Sequence, residues 1–144
     1  MTDPAGDTPV PTLAQIAALM PFAQRLGIRI EAATPEEVAA TLPWAEDLCT
    51  AGGVLHGGAL MSLADSVGAV CAFLNLPPGA GTTTVESKTN FLRGVRSGQV
   101  RAVARPLHVG RTLIVVETSL WDEKERRVGQ TTQSQLVTPP PSGA

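Results

Sequence analysis

The chain has 144 residues and a formal net charge of −2 at pH 7, which suits one domain with a single sizeable core. A nucleic-acid binder is normally basic, so the charge argues against that class. The longest apolar run, Val67 to Leu74, is far short of a membrane span, and the opening residues lack the charged-then-apolar pattern of a secretion signal. Neither a membrane nor a nucleic acid is expected as a partner.

Residues 1–11, rich in Pro, Gly, Thr and Asp, read as a disordered tail, and residues 139–144 as a second one. Between them, residues 12–138 form one folded unit. Thr12 to Leu19 reads as a short helix capped by Thr12. Pro21 ends it and opens a further helical turn that Gly27 stops. Ile28 to Ala33 and Glu37 to Leu42 are predicted strands joined at Thr34-Pro35-Glu36, followed by an irregular stretch from Pro43 to Leu55.

A long helix is predicted from Gly57 to Leu74, about 27 Å at the usual rise. Asp65 is its one charged residue. Apolar residues sit almost all round it, the pattern of a buried helix. Leu60, Leu63, Ala64, Val67, Val70, Cys71 and Leu74 recur at helical spacing, while Ser62, Asp65, Ser66 and Ala69 share a second, small and polar stripe. One side can pack into a core while the other lines a cavity or meets a neighbour. Asp65 is then either a buried acid paired with an arginine or a catalytic carboxylate.

Beyond the break at Pro77 to Gly81 the chain reads as β: Thr82 to Arg93, Gln99 to Val109, Thr112 to Trp121 and Arg127 to Val137. Short links imply an antiparallel sheet, wrapped around the helix that interrupts it. Cys49 and Cys71 are isolated and show no metal spacing. They read as free thiols of a reducing compartment, which makes the cytoplasm the expected location.

His56-Gly57-Gly58 opens the long helix, where the first N–H groups lack intrahelical partners and a glycine admits a ligand closely. Such an N–H suits a polarised carbonyl or an oxyanion. Gly57 and Asp65 are eight residues apart, about 12 Å along one helix. A reacting atom must lie within roughly 3 Å of both kinds of group. One copy cannot achieve this, but two antiparallel copies can, so a shared site requires at least a dimer.

The order of elements and four fragments of sequence resemble the hotdog-fold acyl-CoA thioesterases, most closely their PaaI-type (phenylacetate-pathway) branch. The fragments are Leu55-His56-Gly57-Gly58, Leu63-Ala64-Asp65, Asn90-Phe91-Leu92-Arg93 and Val109-Gly110-Arg111-Thr112. The resemblance implies an α+β hotdog fold, an antiparallel sheet around one central helix with an extra short helix at the N-terminus. It implies hydrolysis of an acyl-CoA thioester, aryl or medium-chain, in a homotetramer built as a dimer of dimers.

By the same resemblance Asp65 is the essential carboxylate, nucleophile or general base. The Gly57 N–H polarises the carbonyl, and His56 orients the carbonyl or the leaving thiolate. Relatives carry Asn or Gln six residues before that histidine, where this chain has the shorter Thr50. Thr84 stands where relatives carry a hydroxyl facing the site and is expected to share that task. Arg93, Arg96, His108, Gly110, Arg111 and Thr112 are candidates to hold coenzyme A, which is part of the substrate, and neither a cofactor nor a metal is implied. Two other readings stay open: an enoyl-thioester hydratase or dehydratase of the same fold, and a non-catalytic acyl-CoA binder, which Thr50 keeps in view.

Overall fold

The computed structural model describes residues 9–143. Most of the expected N-terminal tail, residues 1–8, and the terminal Ala144 lie outside them, while Pro9 to Pro11 and Pro139 to Gly143 carry no regular structure. Helix α1 spans Leu13–Ala18, and a reciprocal box closes its start. Thr12 Oγ accepts from the Gln15 N–H, and Gln15 Oε1 accepts from the Thr12 N–H. Helix α2, Pro21–Leu26, begins on the proline and ends at Gly27, whose φ of 85° a glycine adopts without strain.

Strands β1 (Arg29–Ala33) and β2 (Val38–Pro43) form a hairpin. Two single 3-10 turns then lead to helix α3, Gly57–Phe73. Strands β3 (Gly81–Phe91), β4 (Gln99–Val109), β5 (Leu113–Trp121) and β6 (Arg127–Thr138) complete the chain. All pairings are antiparallel, in the order β1-β2-β4-β5-β6-β3. Strand β3, next after α3 in the chain, therefore crosses to the far edge of the sheet and pairs only with β6.

Helix α3 lies across one face of this sheet. Leu63, Ala64, Val67 and Cys71 are fully buried against a sheet face that carries Leu42, Val100, Ile114 and Val116. Ala40 pairs with Ala102, and Val38 with Ala104. These small side chains let the helix settle close to β2 and β4 at interior packing density. Burial in this core pushes the Cys71 thiol up to about 11.

The helix has a covered and an uncovered side, as its two stripes predict. The sheet shields one side only, and the opposite side stays open in a single chain, with Met61 37% and Phe73 42% exposed. The small polar stripe lies on this open side. The free edge of β3 lies alongside, and it exposes Val85 and Phe91. No helix among the described residues is long and apolar enough to cross a membrane.

The β5–β6 turn is held by Asp122, which accepts from the N–H groups of Lys124 and Arg126 and from the Arg126 guanidinium. Burial disfavours the charge, but Arg126 and these two amides outweigh it and hold the carboxyl below its ordinary range. Its contribution to stability is therefore complete above the unfolded-state value and is lost as pH falls through the lower folded value. Asp122→Ala is expected to lower the urea midpoint at neutral pH, and the gap from the native chain should close as the pH is taken into the acid range.

Candidate active site

Asp65 sits two turns into α3, on its exposed side. Its Oδ1 accepts two hydrogen bonds, from the Thr84 hydroxyl on β3 at 3.0 Å and from Gln133 Nε2 on β6 at 3.0 Å. Thr84 in turn accepts from Gln135 Nε2 at 2.7 Å, and Gln135 Oε1 accepts from the Thr82 hydroxyl at 3.1 Å. The chain Thr82–Gln135–Thr84–Asp65 thus runs donor to acceptor in one direction. Among the described residues Asp65 Oδ2 receives no donor. A cavity of about 270 Å³ opens beside the carboxylate, lined by Met61, Ser62, Asp65, Thr84 and Ser87.

The bland alternative for Asp65, a buried acid paired with an arginine, does not describe this arrangement. Asp65 is exposed, and its partners are a hydroxyl and a neutral amide. Sequence reasoning missed those amides. Thr131, Gln133 and Gln135 point from β6 toward the helix and are essentially fully buried. The signal was present: from Thr131 onward neither alternate set of β6 offers a run of apolar residues for the core. Polar residues on the inward face must find partners, and the helical acid is one.

Gly68, one turn after Asp65, makes the approach feasible. A Cβ there would lie 2.1 Å from Gln133 Oε1. That same Oε1 has no hydrogen-bond partner, so the amide is anchored through its nitrogen alone.

At the head of α3, His56 caps the helix. Its Nδ1 accepts from the Gly58 N–H at 2.8 Å, which puts the proton of a neutral ring on Nε2. The His56 N–H is tied to Leu48 O at 2.9 Å and the Leu55 N–H to Val95 O at 2.8 Å, fixing the entry of the chain. The Gly57 N–H meets no acceptor among the described residues. The Phe91 ring covers that glycine closely, and a Cβ on it would come 3.1 Å from Phe91 Cζ.

Several expected site residues are not brought together in one chain. Gly57 and His56 stand about 12 Å along the helix from Asp65. Thr50 is exposed at the start of a 3-10 turn, and its N–H donates to Val54 O, but its hydroxyl makes no bond to Asp65. The coenzyme A candidates are divided. His108 follows a bulge in β4, and Gly110, Arg111 and Thr112 form the exposed β4–β5 turn. Arg93 lies just past β3 at the other end of the sheet, its N–H on Val128 O, and Arg96 donates to Gly52 O. The nine residues of β5 separate these ends, roughly 30 Å at the rise of a strand.

Comparison with known proteins bears on the family and the fold. A family model described as the thioesterase superfamily matches residues 52–128. The chain is 36% identical over 101 residues to the 1,4-dihydroxy-2-naphthoyl-CoA hydrolase of Escherichia coli (strain K12), which covers 70% of this chain and 74% of that one. A Pseudomonas aeruginosa relative is 41% identical over 98 residues, 67% of this chain, and the match spans 64% of that protein's length. Among solved structures, a thioesterase from Haemophilus influenzae superposes with a TM-score of 0.84 at 30% identity, covering 90% of this chain and 92% of that one.

Replacing a mid-helix glycine by alanine normally helps, by up to about 1 kcal/mol. At Gly68 the collision with Gln133 should reverse the sign. Gly68→Ala is expected to cost about 1–3 kcal/mol, the usual penalty for overpacking a filled site, read as a lower urea midpoint with the slope unchanged. A stabilised Gly68→Ala would show that the amide has room to move aside.

Proposed function

The chain belongs to the thioesterase superfamily, and from that premise we propose that it hydrolyses acyl-CoA thioesters in active sites shared between two copies of the hotdog fold. The observation that carries this reading is the Asp65 carboxylate at the mouth of a cavity. One of its oxygens is held by Thr84 and Gln133, and the other is free. An acid so oriented can attack a carbonyl itself or take a proton from an attacking water.

In the water route, the water oxygen bonds to the acyl carbon while its proton passes to Asp65. The tetrahedral oxyanion rests on the free Gly57 N–H at the positive end of α3. Collapse breaks the carbon–sulfur bond, the electron pair leaves on the thiolate, and the proton is returned to sulfur directly or through solvent. His56, with its proton on Nε2, is placed in this reading to orient the carbonyl or the departing sulfur.

The 12 Å between Gly57 and Asp65 demands a second copy. A two-fold arrangement with antiparallel α3 helices puts Met61, midway between those residues, at the axis. The half-exposed Met61 and the unpaired β3 edge with Val85 and Phe91 offer the apolar and backbone surface for that contact. It also brings the Arg93 end of one sheet beside the Gly110–Thr112 end of the other. The divided coenzyme A candidates then face one nucleotide across the interface. Thr50 reaches the neighbouring copy's site by the same symmetry, and a dimer of dimers follows from the family resemblance.

Asp65→Asn should lower thiol release from acyl-CoA by about a hundredfold or more, with circular dichroism and assembly unchanged. Native-like turnover by this variant, or water addition to an enoyl-CoA without thiol release, would overturn the reading. Asp65→Ala and His56→Ala, each inactive alone, should recover roughly a quarter of native activity when randomly paired one to one, because half the dimers then carry one intact site. No recovery would place both residues in a single chain's site.

A further inference from the structure

A bulge in β3 decides which of its side chains reach Asp65. Thr84 lies opposite Gln135 of β6, but the register then shifts, so that Glu86 lies opposite Ser134 and Ser87 opposite Gln133. Val85 is the extra residue and stays exposed. Gln133 and Gln135 are both buried beneath α3, so Thr84 and Ser87 both face the helix. A regular strand, with its period of two, would turn Glu86 inward and Ser87 outward. The bulge therefore keeps a second carboxylate, whose charge would oppose that of Asp65, out of the site and brings in a hydroxyl.

Ser87 lines the cavity beside Asp65 with Met61, Ser62 and Thr84. The other two hydroxyls there are committed. Ser62 donates to Gly58 O at 2.7 Å, and Thr84 donates to Asp65 Oδ1 while accepting from Gln135. Among the described residues the Ser87 hydroxyl makes no hydrogen bond, and Asp65 Oδ2 receives none. Gln133, directly across from Ser87, holds Oδ1 of the same carboxylate. Side chains paired in this way stand about 5 Å apart at Cβ. Ser87 Oγ and the free Oδ2 thus open onto one space.

Resting on the thioesterase reading, we propose that Ser87 is a further catalytic residue, which holds the attacking water against Asp65. The water gives one O–H to Asp65 Oδ2 and the other to Ser87 Oγ, which leaves a lone pair turned to the acyl carbon. As the oxygen–carbon bond forms, the first proton passes to Oδ2 and the carbonyl electron pair moves onto its oxygen. The second proton stays on the new hydroxyl, bonded to Ser87, while collapse breaks the carbon–sulfur bond and expels the thiolate. Ser87 fixes the nucleophile and not the acyl-CoA, so its loss is felt in kcat.

The test compares Ser87→Ala, Ser87→Val and Ser87→Thr, with thiol release from hexanoyl- and phenylacetyl-CoA as the assay and circular dichroism as the check on folding. Valine and threonine have nearly the same shape, and threonine alone keeps the hydroxyl. Ser87→Ala and Ser87→Val should lower kcat about tenfold to a hundredfold with KM nearly unchanged, and Ser87→Thr should recover most of the loss. A single turnover in water labelled with heavy oxygen should put the label in the released acid. Native-like turnover by Ser87→Ala, equal losses in Ser87→Val and Ser87→Thr, a loss confined to KM, or label on Asp65 overturns the role of Ser87 alone. Failure of the unsubstituted chain to release thiol from either thioester or from palmitoyl-CoA overturns it together with the proposed function.

Discussion

Two buried amides of β6 hold this molecule's site in register, Gln133 by donating to the Asp65 carboxylate and Gln135 by donating to Thr84, which in turn donates to that carboxylate. Gln133 and Gln135 stand where β6 would ordinarily present aliphatic side chains to the core. An amide buried without partners costs on the order of 1–3 kcal/mol, whereas one bonded to a charged group contributes a comparable gain. Asp65 and Thr84 absorb that cost for the two amide nitrogens, while Gln133 Oε1 stays without a partner. The bonds also fix the rotation of α3 about its own axis. Apolar packing alone tolerates small rotations of a helix, but two directed bonds to Oδ1 do not. Once the rotation is fixed, Met61, Ser62, Asp65, Ala69 and Phe73 are all committed to the uncovered side.

That commitment leaves a single chain incomplete. It exposes apolar surface at Met61, Phe73, Val85 and Phe91, leaves the long β3 edge unpaired, and holds the helix head a dozen ångströms from the acid. Each is a liability in a monomer, and the two-fold arrangement proposed above would relieve the main ones together. The same helix carries an unpaired N–H at its start and a carboxylate in its middle, so in the proposed dimer symmetry would turn one element into both halves of a site. A mutation at either position would then register at a site built with another chain.

Local chemistry made much of the fold legible. Thr12 with Gln15, Pro21, Gly27 and the Pro77–Gly81 break bound their elements by short-range rules, and the structure follows them closely. The apolar character of α3 marked it as the central buried helix, and its small polar stripe marked the side that the sheet leaves uncovered. The transfer of β3 to the sheet edge was not legible, since antiparallel pairing leaves the lateral order of strands open. The inward turn of Gln133 left its mark in the polar pattern of β6, but its partner was not legible: Asp65 lies 68 residues away in the chain, and no local rule couples them. The division of the coenzyme A candidates has the same origin. Arg93 and Arg111 look near in sequence, but strands run the length of the sheet between them.

The sparseness of the site fits the reaction proposed for it. A thiol has a pKa near 8.5 and water one of 15.7, about seven units apart. At about 1.4 kcal/mol per unit, a thiolate departs with an advantage approaching 10 kcal/mol over an oxyanion of water-like basicity. Much of what an acid catalyst contributes to the cleavage of oxygen esters is therefore unnecessary. What remains is to deliver a nucleophile or a base at a fixed angle and to meet the oxyanion with a donor. A carboxylate held by one oxygen and an unpaired N–H at a helix start meet those two needs. A threonine at position 50, shorter than an amide, is tolerable on this account because orientation of the acid comes from the opposite side, through the glutamine that Gly68 admits.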